Sequence, residues 1–102
     1  MNKHDELFKK SKTLVPGGVH SPVRSFKGLP MSPIFFEKSN GAFLTDVEGK
    51  SYIDFCMSFG PLILGHRDLE VERELMMALE RGWSYGACEP YSLALADFLV
   101  EK

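Results

Sequence analysis

Along the first fourteen residues, Leu7, Phe8, Ser11 and Leu14 return near one face of a 3.6-residue period, while lysines take the other. That spacing predicts a short amphipathic helix over Lys3 to Leu14. Pro16-Gly17-Gly18 ends it, because proline lacks the amide hydrogen that a further turn requires. From there to Pro33 the chain carries four prolines and three glycines, too many breakers for regular structure. The apolar residues Val15, Val19, Val23 and Phe26 predict that this long loop is docked on a scaffold.

The period then shortens to two. Ile34 to Glu37, Ala42 to Val47 and Ser51 to Phe55 read as strands, with turns at Asn40-Gly41 and Glu48-Gly49. In the third run Tyr52 and Asp54 alternate with Ser51, Ile53 and Phe55, so Ile34 to Phe55 is expected to form a three-stranded antiparallel meander. Ser58 to Arg67 holds Gly60, Pro61 and Gly65 and reads as a loop. Helical spacing returns at Val71, Leu75, Ala78 and Leu79, which predicts a helix from Asp68 to Arg81. Asp68 is its cap, Glu70 and Glu72 suit its positive first turn, and Gly82 suits its end. After a loop from Trp83 to Cys88, Pro90 opens a last helix to Glu101, with Leu93, Ala96, Leu99 and Val100 as its apolar face.

The pattern describes an α+β segment: helix, long loop, meander, two helices. These elements can bury only a thin shared core. The sequence stops on Val100-Glu101-Lys102 with no closing strand, so the natural protein is expected to continue beyond residue 102.

Composition narrows the partners. Of the 102 residues, 44% are hydrophobic and 25% charged, as in an ordinary globular domain. A formal net charge of −2 gives no electrostatic pull toward nucleic acid or an anionic membrane. No window approaches the roughly 18 apolar residues of a membrane span, and the first dozen residues lack the apolar core of a secretory signal. Cys56 and Cys88 show no metal-ligand spacing, nor do His4, His20 and His66, so no metal site is expected. Free thiols and a cytoplasmic location are the expectation.

The best chemical constellation is Ser21-Pro22-Val23-Arg24. Pro22 drives Ser21 into an extended conformation. If the loop's fold makes Ser21 and Arg24 converge, a hydroxyl and a planar guanidinium would suit a substrate carboxylate. The alternative is a solvated or ion-paired arginine beside a turn-capping serine. Phe59, in its breaker-rich loop, is either core or an aromatic wall for a flat ligand, and Trp83, Tyr85 and Gly86 pose the same choice. His66 reads as a structural hydrogen-bonder, with no carboxylate partner assignable from sequence. The chain offers no complete nucleophilic triad and no Gly-rich phosphate loop.

Several stretches, in order, resemble the glutamate-1-semialdehyde 2,1-aminomutases of the class III aminotransferases. Pro16 to Phe26 is similar to the family's P-G-G-V-N-S-P-V-R-A-F, with His20 for Asn and Ser25 for Ala. Phe35 to Asp54 resembles its meander. Ser58 to His66 resembles S-W-G-P-M-I-L-G-H, with Phe59 for Trp and Leu62 for Met, and Ser84 to Ala87 is similar to its S-F-G-A.

The resemblance implies the amino-terminal segment of a fold-type I pyridoxal-phosphate (PLP) enzyme, mainly small-domain elements leading into a large domain. Such an enzyme is a homodimer that moves an amino group between neighbouring carbons of an amino acid substrate, glutamate-1-semialdehyde, giving 5-aminolevulinate for tetrapyrroles. Ser21 and Arg24 match the family's substrate-carboxylate positions, and Phe59 an aromatic position near the substrate. Ser84, Tyr85 and Gly86 match a possible active-site loop. The family's phosphate-gripping residues and its cofactor lysine lie further along than residue 102. No catalytic residue is therefore expected here, and the segment alone is expected to be inert. Phe59, Trp83 and Glu89-Pro90-Tyr91 depart from the family pattern. The last looks more like other class III aminotransferases, which use a separate amino acceptor. A non-catalytic binding or dimerisation fragment is the third reading.

Overall fold

Asn2 opens the chain's first helix, α1 (Lys3–Leu14), through a capping box. Its side chain accepts the Asp5 N–H at 2.9 Å, and the Asp5 carboxylate accepts the Asn2 N–H at 3.3 Å. The face turned inward is His4, Leu7, Phe8 and Ser11, while Leu14 stays exposed. The buried stripe thus starts one turn earlier than the apolar pattern predicts, because His4 finds polar partners on the sheet.

The computed structural model describes residues 1–101. They form two compact units, one of Met1–Asp68 and a second beginning at Leu69.

After α1 the chain makes a 3-10 turn over Pro16–Gly18 and a second over Pro22–Arg24. The loop is docked, as its apolar residues predict. The Ser11 hydroxyl donates to the Gly18 carbonyl at 2.7 Å. Gly18 lies so close to α1 that a Cβ there would stand 2.7 Å from both Phe8 and Lys12. Val15, Val19 and Phe26 are half-buried, but Val23 remains exposed.

The meander consists of β1 (Phe36–Asn40), β2 (Phe43–Asp46) and β3 (Ser51–Ile53), antiparallel in that order. β1 starts and ends later than expected. Asn40 pairs with Phe43, so the tight turn is Gly41-Ala42, one residue beyond the predicted Asn40-Gly41. A register shift between Phe36 and Lys38 absorbs the difference. The alternation predicted for the third strand is present: Tyr52 and Asp54 are half-buried, whereas Ser51, Ile53 and Phe55 are exposed.

The centre of this unit is polar. Among the described residues no hydrophobic side chain is fully buried, and the buried polar ones are His4 and Asp46. Within this unit Leu7 and Phe8 on the inward face of α1 are half-buried.

In the second unit, α2 (Leu69–Leu79) begins just after Asp68, and Gly82 follows its end in a left-handed conformation, donating its N–H to the Leu79 carbonyl at 3.2 Å. The predicted Asp68–Arg81 span is trimmed to eleven helical residues. Before α3 (Pro90–Glu101), the Glu89 carboxylate accepts the N–H groups of Tyr91 at 2.7 Å and Ser92 at 3.1 Å. The Ser92 hydroxyl first, and then the Ser92 and Tyr91 N–H groups, hold the Glu89 carboxyl below its ordinary range against the effect of burial. Val71, Leu75 and Leu79 of α2 and Leu93, Leu99 and Val100 of α3 are exposed.

Candidate functional site

The loop that carries Ser21 and Arg24 springs from α1, so what fixes α1 fixes the loop. His4 does this with both ring nitrogens. Its Nδ1 accepts the Phe35 N–H at 3.1 Å, which places the ring hydrogen on Nε2, 3.3 Å from an Asp46 carboxylate oxygen. Asp46 also accepts the Tyr52 hydroxyl at 3.0 Å and the N–H groups of Glu48 and Lys50 at 2.9 Å each. Burial alone would raise the Asp46 pKa; the N–H groups of Lys50 and Glu48, the Tyr52 hydroxyl and His4 outweigh it and hold the carboxyl below its ordinary value. Lys3 adds an outer tie, its N–H to Glu48 at 2.9 Å and its ammonium to the Val47 carbonyl at 2.9 Å.

Ser21 is extended, at φ −149° and ψ 135°, as the following proline requires. The Arg24 N–H closes the 3-10 turn onto the Ser21 carbonyl at 3.0 Å. Arg24 is exposed and forms no ion pair among the described residues. It borders a cavity of about 220 Å³ together with Val19, His20 and Pro33 through Phe36. Half-buried Ser21 belongs to the same turn but does not line that cavity.

Phe59 sits in an unusual turn. Met57, Ser58 and Phe59 have φ of 48°, 57° and 68°, followed by Gly60 at 109°. Each left-handed non-glycine residue costs about 1–2 kcal/mol, so this conformation needs support. Asp54 supplies it: one carboxylate oxygen accepts the N–H groups of Cys56 at 2.8 Å and Met57 at 3.0 Å. The other accepts the His66 Nε2–H at 2.6 Å. His66 and Gly41 also exchange both backbone hydrogen bonds, each at 2.9 Å. Segment 55–65 is therefore an Ω-like loop with a tied neck. The His66 bond is the main cause holding the Asp54 carboxyl below its ordinary range, followed by the Met57 N–H. His66 is structural, as the sequence indicates, but it does have a carboxylate partner. That partner lies twelve residues upstream on the inward face of the third strand run, so the alternation there was the available signal. Phe59 itself is 76% exposed, which places it outside any core of this unit.

Within the second unit, Ser84, Tyr85 and Gly86 line a cavity of about 470 Å³ with Ala78, Gly82, Trp83, Ala87, Glu89 and Tyr91. Arg81 donates to the Tyr91 hydroxyl and lies over its ring. No cluster of three or more His, Cys, Asp or Glu among the described residues is arranged to hold a metal ion.

A glutamate-1-semialdehyde 2,1-aminomutase of Bdellovibrio bacteriovorus is 58% identical over 96 residues, covering 94% of this chain. One of Leptospira interrogans is 58% identical over 98 residues, 96% of the chain. This chain is related to the glutamate-1-semialdehyde 2,1-aminomutases. It spans about a fifth of the length of these relatives, 22% in each case. No family model matches the sequence.

The solved structures agree on the fold. An omega-transaminase from Sphaerobacter thermophilus superposes with a TM-score of 0.86 at 25% identity, covering 98% of this chain and 22% of that one. A transaminase solved with PLP bound gives 0.79 at 29% identity, covering 91% and 21%. The helix, loop, meander and two helices are a segment of the fold-type I PLP-dependent transferase fold.

PLP requires a lysine beside its ring and a cradle for its phosphate. No lysine lines the cavities at Arg24, at the Ser84 loop or along α2. The residues lining these three cavities do not by themselves make a PLP site.

Proposed function

We propose that this chain is the substrate-gripping segment of a cytoplasmic, homodimeric, PLP-dependent aminomutase that converts glutamate-1-semialdehyde to 5-aminolevulinate. In this reading Met1–Asp68 contributes small-domain elements, and the second unit leads into the large domain. The cofactor is held by parts of the polypeptide outside the segment. The segment's own work is binding and orientation. Arg24 receives the substrate carboxylate on its planar fork, Ser21 adds a hydroxyl from the same turn, and Phe59 forms an aromatic wall that excludes water. Ser84, Tyr85 and Gly86 form a second loop of the active site.

One observation carries the assignment of Arg24. It stands at the rim of a cavity without a carboxylate partner of its own among the described residues, and an unpaired guanidinium on a proline-fixed turn is ready for an incoming anion.

The test is steady-state kinetics of Arg24→Lys in the full-length enzyme. Lysine keeps the charge and loses the bidentate geometry. A charge-assisted hydrogen bond is worth about 1.5–3 kcal/mol, so kcat/KM should fall roughly ten- to a hundredfold with bound PLP unchanged. Ser21→Ala should cost less, about 0.5–1.5 kcal/mol for a neutral hydrogen bond. Wild-type kcat/KM in Arg24→Lys would leave Arg24 a surface residue.

A second reading, a class III aminotransferase with a separate amino acceptor, is favoured by Glu89-Pro90-Tyr91 and by the omega-transaminase superposition. Turnover of glutamate-1-semialdehyde with no added acceptor separates the two. An absolute need for an acceptor rules out the aminomutase.

A further inference from the structure

The Ω-like loop presents a contradiction between its neck and its tip. At the neck, the side chains of Asp54 and His66 are 6% and 11% exposed, among the most enclosed polar groups in the unit. Beyond the neck, Phe59 and Ile63 are largely open to solvent, as is Phe55 where the loop begins. A loop collapsed on its own apolar residues would need no such neck. Within the loop, short-range backbone bonds such as Phe59 N–H to the Cys56 carbonyl at 3.0 Å and Gly60 N–H to the Met57 carbonyl at 3.1 Å shape the turn, and the neck anchors it to the meander. Asp54 spans both sides of it, because one oxygen holds the amides that start the left-handed turn and the other holds His66, where the chain returns. The backbone bridge between His66 and Gly41 closes the neck independently of any side chain.

We propose that His66 is a positioning residue that acts through Asp54. The pair locks the left-handed turn at Met57–Phe59 and so sets the pose of the Phe59 ring against the substrate. This rests on the reading of Phe59 as a wall of the substrate site. His66 touches neither substrate nor reacting atoms. Its Nε2–H holds the carboxylate in the rotamer from which the other oxygen can reach two successive amides. Without it the carboxylate is free to turn away, the left-handed residues relax, and the ring moves with them.

The experiment is a double-mutant cycle in the full-length holoenzyme, pairing His66→Leu with Phe59→Ala. His66→Leu should lower kcat/KM about tenfold, mostly through KM, with the absorbance of bound PLP unchanged. In the Phe59→Ala background the same substitution should change kcat/KM less than twofold, since the group it positions is gone. His66→Gln, which still offers an N–H at nearly the same reach, should recover most of the loss. A general structural defect would instead give equal losses in both backgrounds, no rescue, and an altered cofactor spectrum; any of these overturns the proposal. A silent Phe59→Ala would show that the Phe59 reading itself had failed, and the inference with it. If His66→Leu does not fold, amide hydrogen exchange at Cys56 and Met57 decides. Strong protection in the wild type that His66→Gln keeps and His66→Asn, whose side chain falls short of the Asp54 carboxylate, weakens supports the lock; unprotected amides in the wild type, or equal protection in all three, refute it.

Discussion

Gly18 shows how much one residue can decide in this chain. Its φ of 75° is left-handed, and the space where a Cβ would sit is already filled by Phe8 and Lys12. Gly18→Ala should therefore destabilise the first unit by about 2–4 kcal/mol, combining left-handed strain with overpacking. Gly17, at φ 69° but with open space around it, should cost only about 1 kcal/mol when changed to alanine. Urea denaturation of the two variants checks the difference; equal losses would mean the loop is not held against α1. At this scale the sequence was only partly legible. Pro22 dictated the conformation of Ser21 from its own chemistry, and Arg24 was conspicuous as a candidate anion binder. The pairings His4–Asp46 and His66–Asp54 join residues 42 and 12 positions apart. Strand alternation puts Asp54 on an inward face, but which histidine each carboxylate meets is fixed only once the meander has folded.

Among the elements, helices and strands were readable because periodicity and turn chemistry are local properties. Boundaries moved where a long-range contact intervened. Leu14 lost its place on the buried face of α1 to His4, and the first hairpin slipped by one residue around Gly41, which bridges to His66. The joints between elements are carboxylates, and that makes them sensitive to acid. Asp46 ties α1 and β3 to the turn after β2, and Asp54 ties the neck of the Ω-like loop; both have pKa values lowered from 3.8 in the native state. A depressed native pKa means that the unfolded chain takes up protons first as pH falls. Their contribution is thus complete above about pH 3.8 and is lost as pH drops through the lower native values. Urea midpoints measured from pH 5 down to pH 2 should show this loss, and Asp54→Asn should flatten part of it. An unchanged acid slope in that variant would mean Asp54 is not held by His66 in solution.

For the molecule as a whole, the amphipathic stripes of α2 and α3 and the tip of the Ω-like loop remain open. The first unit is instead held about a polar centre of His4, Asp46 and Tyr52. Contacts of this kind fix register and angle, whereas burial of apolar surface supplies most of the cohesion of ordinary domains. The difference has a calorimetric consequence. The heat-capacity rise on unfolding comes from newly hydrated apolar surface, about 12–15 cal/mol/K per residue in typical globular proteins. A chain whose described hydrophobic side chains are half-buried or exposed has less such surface left to expose. Scanning calorimetry of the 102-residue chain should therefore give an increment well below that range, with a broad transition. A sharp peak with the usual increment would mean that the open faces find cover in solution. With so small an increment, stability changes almost linearly with temperature, so chilling such a chain brings no cold denaturation within reach of liquid water.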